Sequence, residues 1–77
     1  MRFHVTRHGA LRVTERSLSL EEMKNVVNYS KQVTVLNHGR NGGKLKRFEK
    51  TADGRKLVVI AEVKGTDCWL ATGYYED

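Results

Sequence analysis

The sequence predicts an α+β fold in which two N-terminal helices pack on one face of a four-stranded antiparallel meander sheet. Three observations predict it: apolar residues recur at helical spacing early in the chain, an alternating pattern typical of strands begins after residue 31, and short glycine-containing turns separate the later stretches. A chain of 77 residues has room for one core. We therefore expect residues 1–77 to form a single domain.

The first predicted helix spans residues 7–16 and follows a short strand or extended arm at residues 3–5. Apolar side chains fall on one side of this helix. Three side chains fall on the opposite side, four residues apart each time: His8, Arg12 and Arg16. The helix should therefore present a titratable imidazole and two permanent cations in one stripe.

A capping box predicts the start of the second helix. Glu22 follows Ser19 by three residues, so Ser19 can accept a hydrogen bond from the Glu22 amide while the Glu22 side chain reaches back to Ser19. The helix should begin at Leu20 and end near Tyr29. Its predicted buried residues are Leu20, Met23, Val26 and Val27.

Four strand patterns follow, at residues 32–37, 44–51, 57–63 and 68–75. The third pattern is almost entirely apolar, which predicts a central strand. Because short turns join consecutive strands, we expect neighbours along the chain to pair antiparallel. Two helices can then cover only one face of the sheet, which leaves the other face for a ligand.

Strict alternation divides the side chains of the last strand between two faces. Thr72 and Tyr74 should share one face with Cys68 and Leu70. Trp69 should lie on the other face and belong to the core. Two hydroxyl groups on one face could position a phosphate or a ribose, or Tyr74 could stack on a base. The alternative is an ordinary half-buried strand end.

Composition narrows the classes of function. Fourteen Lys and Arg stand against nine Asp and Glu, and the net charge of +5 predicts an anionic partner, with nucleic acid ahead of an acidic protein or a membrane surface. Cys68 is the only cysteine, which excludes an intrachain disulfide and a cysteine-rich zinc site. We expect no metal and no cofactor. No apolar run approaches the ~20 residues of a membrane helix and no signal peptide is evident, so a cytoplasmic protein without membrane contact is expected.

Two clusters of cations suit a phosphodiester. In the stripe of His8, Arg12 and Arg16, histidine can move a proton near neutral pH and guanidinium groups can hold phosphate oxygens. The alternative is a solvated helix face whose arginines pair with nearby acids. His4 is predicted to be an ordinary strand residue, with a second proton carrier as the alternative.

The other cluster lies on the second predicted strand and in the loop before it. It consists of Arg40, Lys44, Lys46, Arg47 and Lys50. Clustered cations on a strand form an electrostatic track for an RNA backbone. Lysine also protects exposed sheet edges from pairing, so edge protection is the equal alternative.

The segment from Thr6 to Ser19 resembles a known pattern, Thr-x-His-Ala-x-x-Arg-apolar-x-x-Arg-Gly-Ile-Ser. A widespread family of small bacterial domains carries this pattern, and it is placed with the barnase, EndoU, colicin D and RelE superfamily of small ribonuclease toxins. The matches include Thr6, His8, Arg12 and Arg16. The family also has an acid-rich second helix and a last strand with Thr or Tyr. Two positions depart from it: Gly9 stands for the usual Ala, and Ser17 for a usual Gly.

The resemblance implies a metal-independent ribonuclease toxin that cleaves RNA, with tRNA as the favoured substrate, by attack of the ribose 2′-OH on its own phosphate. His8 would be the general acid or base, and Arg12 and Arg16 would hold the phosphate. Thr72 and Tyr74 would orient the scissile group. An acidic immunity or antitoxin protein would neutralise the toxin, which would act in the bacterial cytosol, alone or as the C-terminal tip of a secreted effector. The alternative is a non-catalytic RNA- or protein-binding module on the same scaffold.

Overall fold

The structure, a computed structural model, describes residues 1–5 and 19–76. This part of the chain forms one helix and five strands. In chain order they are β1 (Arg2–Val5), α1 (Leu20–Tyr29), β2 (Gln32–His38), β3 (Lys44–Ala52), β4 (Arg55–Lys64) and β5 (Asp67–Glu76).

The five strands form one mixed sheet in the order β1-β5-β4-β3-β2. Strands β2 to β5 pair antiparallel with their neighbours along the chain. Strand β1 pairs parallel with β5, with Arg2 opposite Asp67 and Val5 opposite Leu70. The predicted fold class, two helices on a four-stranded antiparallel sheet, is therefore wrong. The short stretch that forms β1 carries no signal for a partner 65 residues away, because parallel pairing depends on a long connection and not on a local turn.

Helix α1 has the predicted bounds, and its start is the one that the capping box predicted. The Oγ atom of Ser19 accepts from the Glu22 amide at 3.0 Å and donates to Glu22 Oε1 at 3.1 Å. Among the predicted buried residues, Leu20 is the exception, because 37% of it stays exposed. The first predicted helix, residues 7–16, lies outside the described residues.

One face of the sheet packs against α1, and we call it the core face. Helix residues Met23, Val26 and Val27 are buried there against the middle strands. The buried strand residues of this face are Phe48, Leu57, Val59, Ala61, Cys68 and Leu70. Burial raises the pKa of the Cys68 thiol to about 11, as befits a core side chain.

A β-bulge in β5 decides which side chains face α1. Leu70 lies opposite Ala61 and Thr72 lies opposite Ile60, so Ala71 has no partner in the ladder. After an unpaired residue, the alternation of the strand changes by one position. Tyr75 consequently packs beside the core with Leu70.

The same bulge places Thr72 and Tyr74 on the opposite face, which we call the Tyr74 face. The predicted grouping of Thr72 and Tyr74 with Cys68 and Leu70 is therefore wrong. The prediction that Trp69 belongs to the core is also wrong. Trp69 lies opposite Glu62 on the Tyr74 face and is half-buried. A single-residue irregularity is invisible in an alternating sequence, because it depends on how β5 pairs with β4.

The loop between β2 and β3 closes around the buried carboxylate of Glu62. That carboxylate accepts hydrogen bonds from the amide of Gly43 at 2.8 Å, from the amide of Asn41 at 2.9 Å and from Asn41 Nδ2 at 3.0 Å. Burial acts to raise the pKa of Glu62, but these bonds outweigh it and the pKa is lowered. The loop needs glycine for this approach, since a Cβ atom on Gly39 would lie 2.0 Å from Glu62 Cδ.

Candidate active site

The predicted catalytic residues fall into two groups. His8, Arg12 and Arg16 lie outside the described residues. Thr72 and Tyr74 lie together on the Tyr74 face of β5. The structure thus confirms that these two hydroxyl groups share a face, although it is the face opposite Leu70.

Arg47 reaches the same region from the far side of β4. It lies opposite Ile60, which in turn lies opposite Thr72, so Arg47 and Thr72 flank Ile60 on one face. Two strand spacings separate their backbones, which is about 10 Å. Val58, opposite Tyr74, is fully buried on this face. Long side chains from β3 and β5 can therefore meet above the apolar residues Val58 and Ile60 of β4.

Four charged side chains on the Tyr74 face hold one another in place. Arg47 contacts Glu76 at 2.8 Å and Glu49 at 3.5 Å. Lys56 contacts Glu49 at 3.4 Å and Glu76 at 3.7 Å. The hydrogen bond to Glu76 raises the pKa of Arg47, and burial partly opposes this rise. The guanidinium group is therefore a fixed cation beside Tyr74.

One nitrogen atom of Arg47 takes no part in this network of ion pairs. Its Nε atom is buried and has no hydrogen-bond partner among the residues that the structure describes. A buried donor without an acceptor is rare in folded proteins, and a catalytic or ion-binding role is one of its known explanations. This N–H group could donate to an oxygen of a bound anion.

A histidine–aspartate pair stands at the β1 end of the Tyr74 face. His4 Nε2 and Asp67 Oδ1 are 3.0 Å apart, and Arg2 Nε lies 3.1 Å from the same oxygen. The His4 ring stacks on Trp69 with 5.1 Å between ring centroids. The hydrogen bond from His4 lowers the pKa of Asp67, and the charge of Arg2 lowers it further. Burial acts in the opposite direction but is outweighed. The imidazole ring is thus oriented by a carboxylate and by an aromatic face.

The sequence predicts a proton-carrying role for His4 only as an alternative, and it does not indicate that Asp67 or Arg2 lies beside it. These residues meet because β1 pairs with β5, with His4 opposite Trp69. Nothing in the local sequence indicates that pairing. The cluster could have been found only by assuming that the N-terminal strand joins the outer edge of the sheet.

The predicted RNA-binding residues do not form one track. Lys44, Lys46 and Lys50 alternate along the core face of β3, whereas Arg47 lies on the Tyr74 face. Arg40 is exposed in the loop before β3. The alternative of edge protection is also wrong, because β3 lies between β2 and β4 and is not an edge strand.

A cleft of about 440 Å³ opens on the core-face side, between α1 and the turn that joins β3 to β4. Its polar side chains contact one another. Tyr75 donates to Glu22 Oε2 at 2.5 Å, and Lys50 donates to Asn25 Oδ1. The guanidinium carbon of Arg55 lies 3.9 Å from the centroid of the Tyr75 ring. These contacts fasten α1 to the sheet, and the sheet separates them from the Tyr74 face.

Two searches of residues 1–5 and 19–76 gave negative results. No three His, Cys, Asp or Glu side chains in this part of the chain lie close enough to hold a metal ion. No helix in it is long and apolar enough to cross a membrane.

The fold and the site define an α+β domain with a mixed five-stranded sheet. One face of that sheet carries a histidine–aspartate pair, two hydroxyl groups and an arginine held by carboxylates. No protein-family model, curated protein or solved structure gives a significant match to the chain.

Proposed function

We propose that this protein is a metal-independent endoribonuclease, a toxin that cleaves RNA, with tRNA as the favoured substrate. One observation carries the proposal: the bulge at Ala71 turns Thr72 and Tyr74 onto the face where Arg47 has a buried N–H donor that finds no acceptor among residues 1–5 and 19–76. Two hydroxyl groups, one of them phenolic, beside a fixed cation are suited to a phosphate group that gains charge during a reaction. The likeness of residues 6–19 to ribonuclease toxins supports the same chemistry.

The proposed reaction is a transphosphorylation within the RNA strand. The 2′-oxygen forms a bond to phosphorus while the bond from phosphorus to the 5′-oxygen breaks. A base takes the proton of the 2′-OH, and an acid gives a proton to the departing 5′-oxygen. The products are a 2′,3′-cyclic phosphate and a 5′-hydroxyl end.

The proposed roles of His8, Arg12 and Arg16 follow from the resemblance, and those of the residues on the Tyr74 face follow from their placement. His8 is the general acid or base, and Arg12 and Arg16 hold the phosphate. Arg47 adds its Nε–H to a phosphate oxygen, and Tyr74 orients the scissile group with Thr72. The reaction needs two proton carriers, and His4, which Asp67 orients on the Tyr74 face, is the proposed carrier in addition to His8.

A ribonuclease of this kind must be neutralised in the cell that makes it. We propose an acidic immunity or antitoxin protein as the partner, because the chain carries a net charge of +5 and opposite charge accelerates association. The toxin would act on RNA in the bacterial cytosol. It would be made as a stand-alone protein or as the C-terminal tip of a secreted effector.

The second candidate function is a non-catalytic RNA- or protein-binding module. The positions of Lys44, Lys46 and Lys50 favour it, because these cations lie on the core face, away from Tyr74. RNA bound along them would not reach the Tyr74 face. Such a module would bind RNA in a salt-dependent way and leave it intact.

The test is incubation of the purified protein with total bacterial RNA in EDTA, with wild type beside His8→Ala and Arg47→Gln. Thr66→Ala, in the exposed turn before β5, is the control. We expect discrete tRNA or rRNA fragments with cyclic phosphate ends from wild type and control, and their loss in the two variants. Folded wild type that binds RNA without cleaving it would overturn the proposal in favour of the binding module.

A further inference from the structure

We infer that β2 is a docking strand for an acidic, extended segment of another protein, which would add to the sheet as a sixth strand. Within the part of the chain that the structure describes, β2 pairs with β3 alone, so its outer side offers unpaired backbone groups. All seven residues of β2 are exposed. This inference is independent of the ribonuclease chemistry on the Tyr74 face.

The side chains of β2 are unusual for a free edge. Val33, Val35 and Leu36 are 47%, 55% and 47% exposed. Proteins usually protect an edge strand with lysine, proline, inward-pointing charge or a bulge, and the stretch from Gln32 to Val35 contains none of these. An unprotected apolar edge is a template for strand addition.

The regular part of β2 is the part that can accept a strand. Gln32 to Val35 pair in continuous register with β3, and the register shifts only after Val35, where Leu36 forms a bulge. A bulge disrupts the ladder locally and bends the strand, so the regular stretch before it is the better template. The docked segment would therefore run beside Gln32–Val35, with its apolar side chains next to Val33 and Val35.

The charges around this edge specify an acidic occupant. Val35 lies opposite Lys46 on the core face, and Lys44 follows along β3. Lys31 precedes β2, and Arg40 lies in the loop that follows it. Of the carboxylates near the strand, Glu49 lies opposite Gln32 and is paired with Arg47 and Lys56. A carboxylate-bearing segment would find nearby lysines that form no ion pair within residues 1–5 and 19–76.

Other occupants fit less well. A second copy of this chain would bring a second net charge of +5, and like net charge opposes association. RNA that binds a protein surface stacks its bases on aromatic rings, whereas Val33, Val35 and Leu36 are aliphatic. The surface therefore favours a protein segment in which apolar and acidic residues alternate.

The test uses a synthetic fluorescent peptide in which glutamate alternates with valine, titrated with the wild-type protein. We expect saturable binding that weakens with added salt, and hydrogen-exchange protection of the amides of Gln32–Val35 in the complex. A peptide in which lysine replaces glutamate should not bind. The same glutamate peptide with N-methyl groups on alternate amides keeps its side chains but cannot pair as a strand, so it should also fail.

A protein variant gives the reciprocal test. Val35→Lys places a charge on the edge at a position that is already exposed, and it should weaken binding at least about ten-fold, as edge lysines block strand pairing. Thr66→Lys adds the same charge in the turn between β4 and β5 and should bind as wild type does.

Three results would overturn the inference: no saturable binding of the glutamate peptide, equal binding of the N-methylated peptide, or a wild-type dimer that Val35→Lys abolishes. The last result would assign β2 to a second copy of the chain. Because Val35 lies on the core face, RNA cleavage by Val35→Lys should be unchanged. A failed docking test is thereby distinguished from a failed ribonuclease test.

Discussion

The hydroxyl group of Tyr75 donates a 2.5 Å hydrogen bond to Oε2 of Glu22, which fastens the end of β5 to the first turn of α1. Ser19 Oγ donates to the other carboxylate oxygen, so the helix cap and the strand end form one chain of hydrogen bonds. The hydrogen bond from Tyr75 lowers the pKa of Glu22, and the hydrogen bonds with Ser19 lower it further. Burial acts in the opposite direction but is outweighed. The neighbouring Tyr74 lies on the opposite face. Adjacent tyrosines thus serve the fold and the proposed site separately.

Replacing Tyr75 with Phe tests the structural role. The substitution removes the hydroxyl group and keeps the ring beside the core, so we expect a loss of about 1 kcal/mol in the free energy of unfolding. Urea unfolding measures it. Tyr29→Phe is the matched control because Tyr29 is 65% exposed, and it should change stability little. Equal effects of the two variants would contradict the account.

Glu62 predicts a specific dependence of stability on pH. Its pKa in the folded protein lies below the ordinary 4.5, so the charged form is favoured by folding. The resulting stabilisation is fully present above 4.5 and is lost as the pH falls through the folded value. In Glu62→Gln, stability at neutral pH should be lower and its decline on acidification shallower than in wild type.

Thermal unfolding across a pH series measures this prediction. Glu21→Gln is the control, because Glu21 is exposed on α1 and its contact with Lys24, at 3.6 Å, is a surface pair. Its curve should follow that of wild type. A Glu62→Gln curve parallel to wild type in the acid range would show that the β2–β3 loop does not depend on the charged carboxylate.

Gly43 should not tolerate even a methyl group. A Cβ atom there would lie 2.5 Å from the carbonyl oxygen of Val63, a backbone atom that cannot turn aside. We expect Gly43→Ala to lose about 1–3 kcal/mol, as overpacked sites do. Chemical unfolding provides the measurement, with Thr51→Ala at an exposed position of β3 as the control. Wild-type stability of Gly43→Ala would mean that β3 and β4 are spaced differently at this end.

Removing the extra residue of the bulge should leave the faces of β5 unchanged. Deletion of Ala71 would bring Leu70 directly before Thr72, and plain alternation would then keep Tyr74 on its present face and Tyr75 beside the core. We therefore expect the deletion variant to keep cooperative unfolding in circular dichroism. Ala71→Ser, which keeps the extra residue, is the control and should unfold much as wild type does. A deletion variant that no longer unfolds cooperatively would contradict the observed register.

The sequence and the structure agree where signals are local. The capping box at Ser19 and Glu22 predicts the start of α1, and changes in hydrophobic period predict the four later strands. They disagree where pairing is distant. The bulge at Ala71 depends on β4, and the meeting of His4 with Asp67 depends on a parallel pair between the two ends of the chain. No local pattern encodes either relationship.

The two adjacent tyrosines allow the most direct test of the proposed site. RNA cleavage in EDTA should fall at least about ten-fold in Tyr74→Phe, if the phenol orients the scissile group or transfers a proton. Tyr75→Phe should keep the wild-type rate at a temperature where it is folded, since Tyr75 bonds Glu22 on the core face. The reverse result, with cleavage lost in Tyr75→Phe and kept in Tyr74→Phe, would contradict the assignment of the active site to the Tyr74 face.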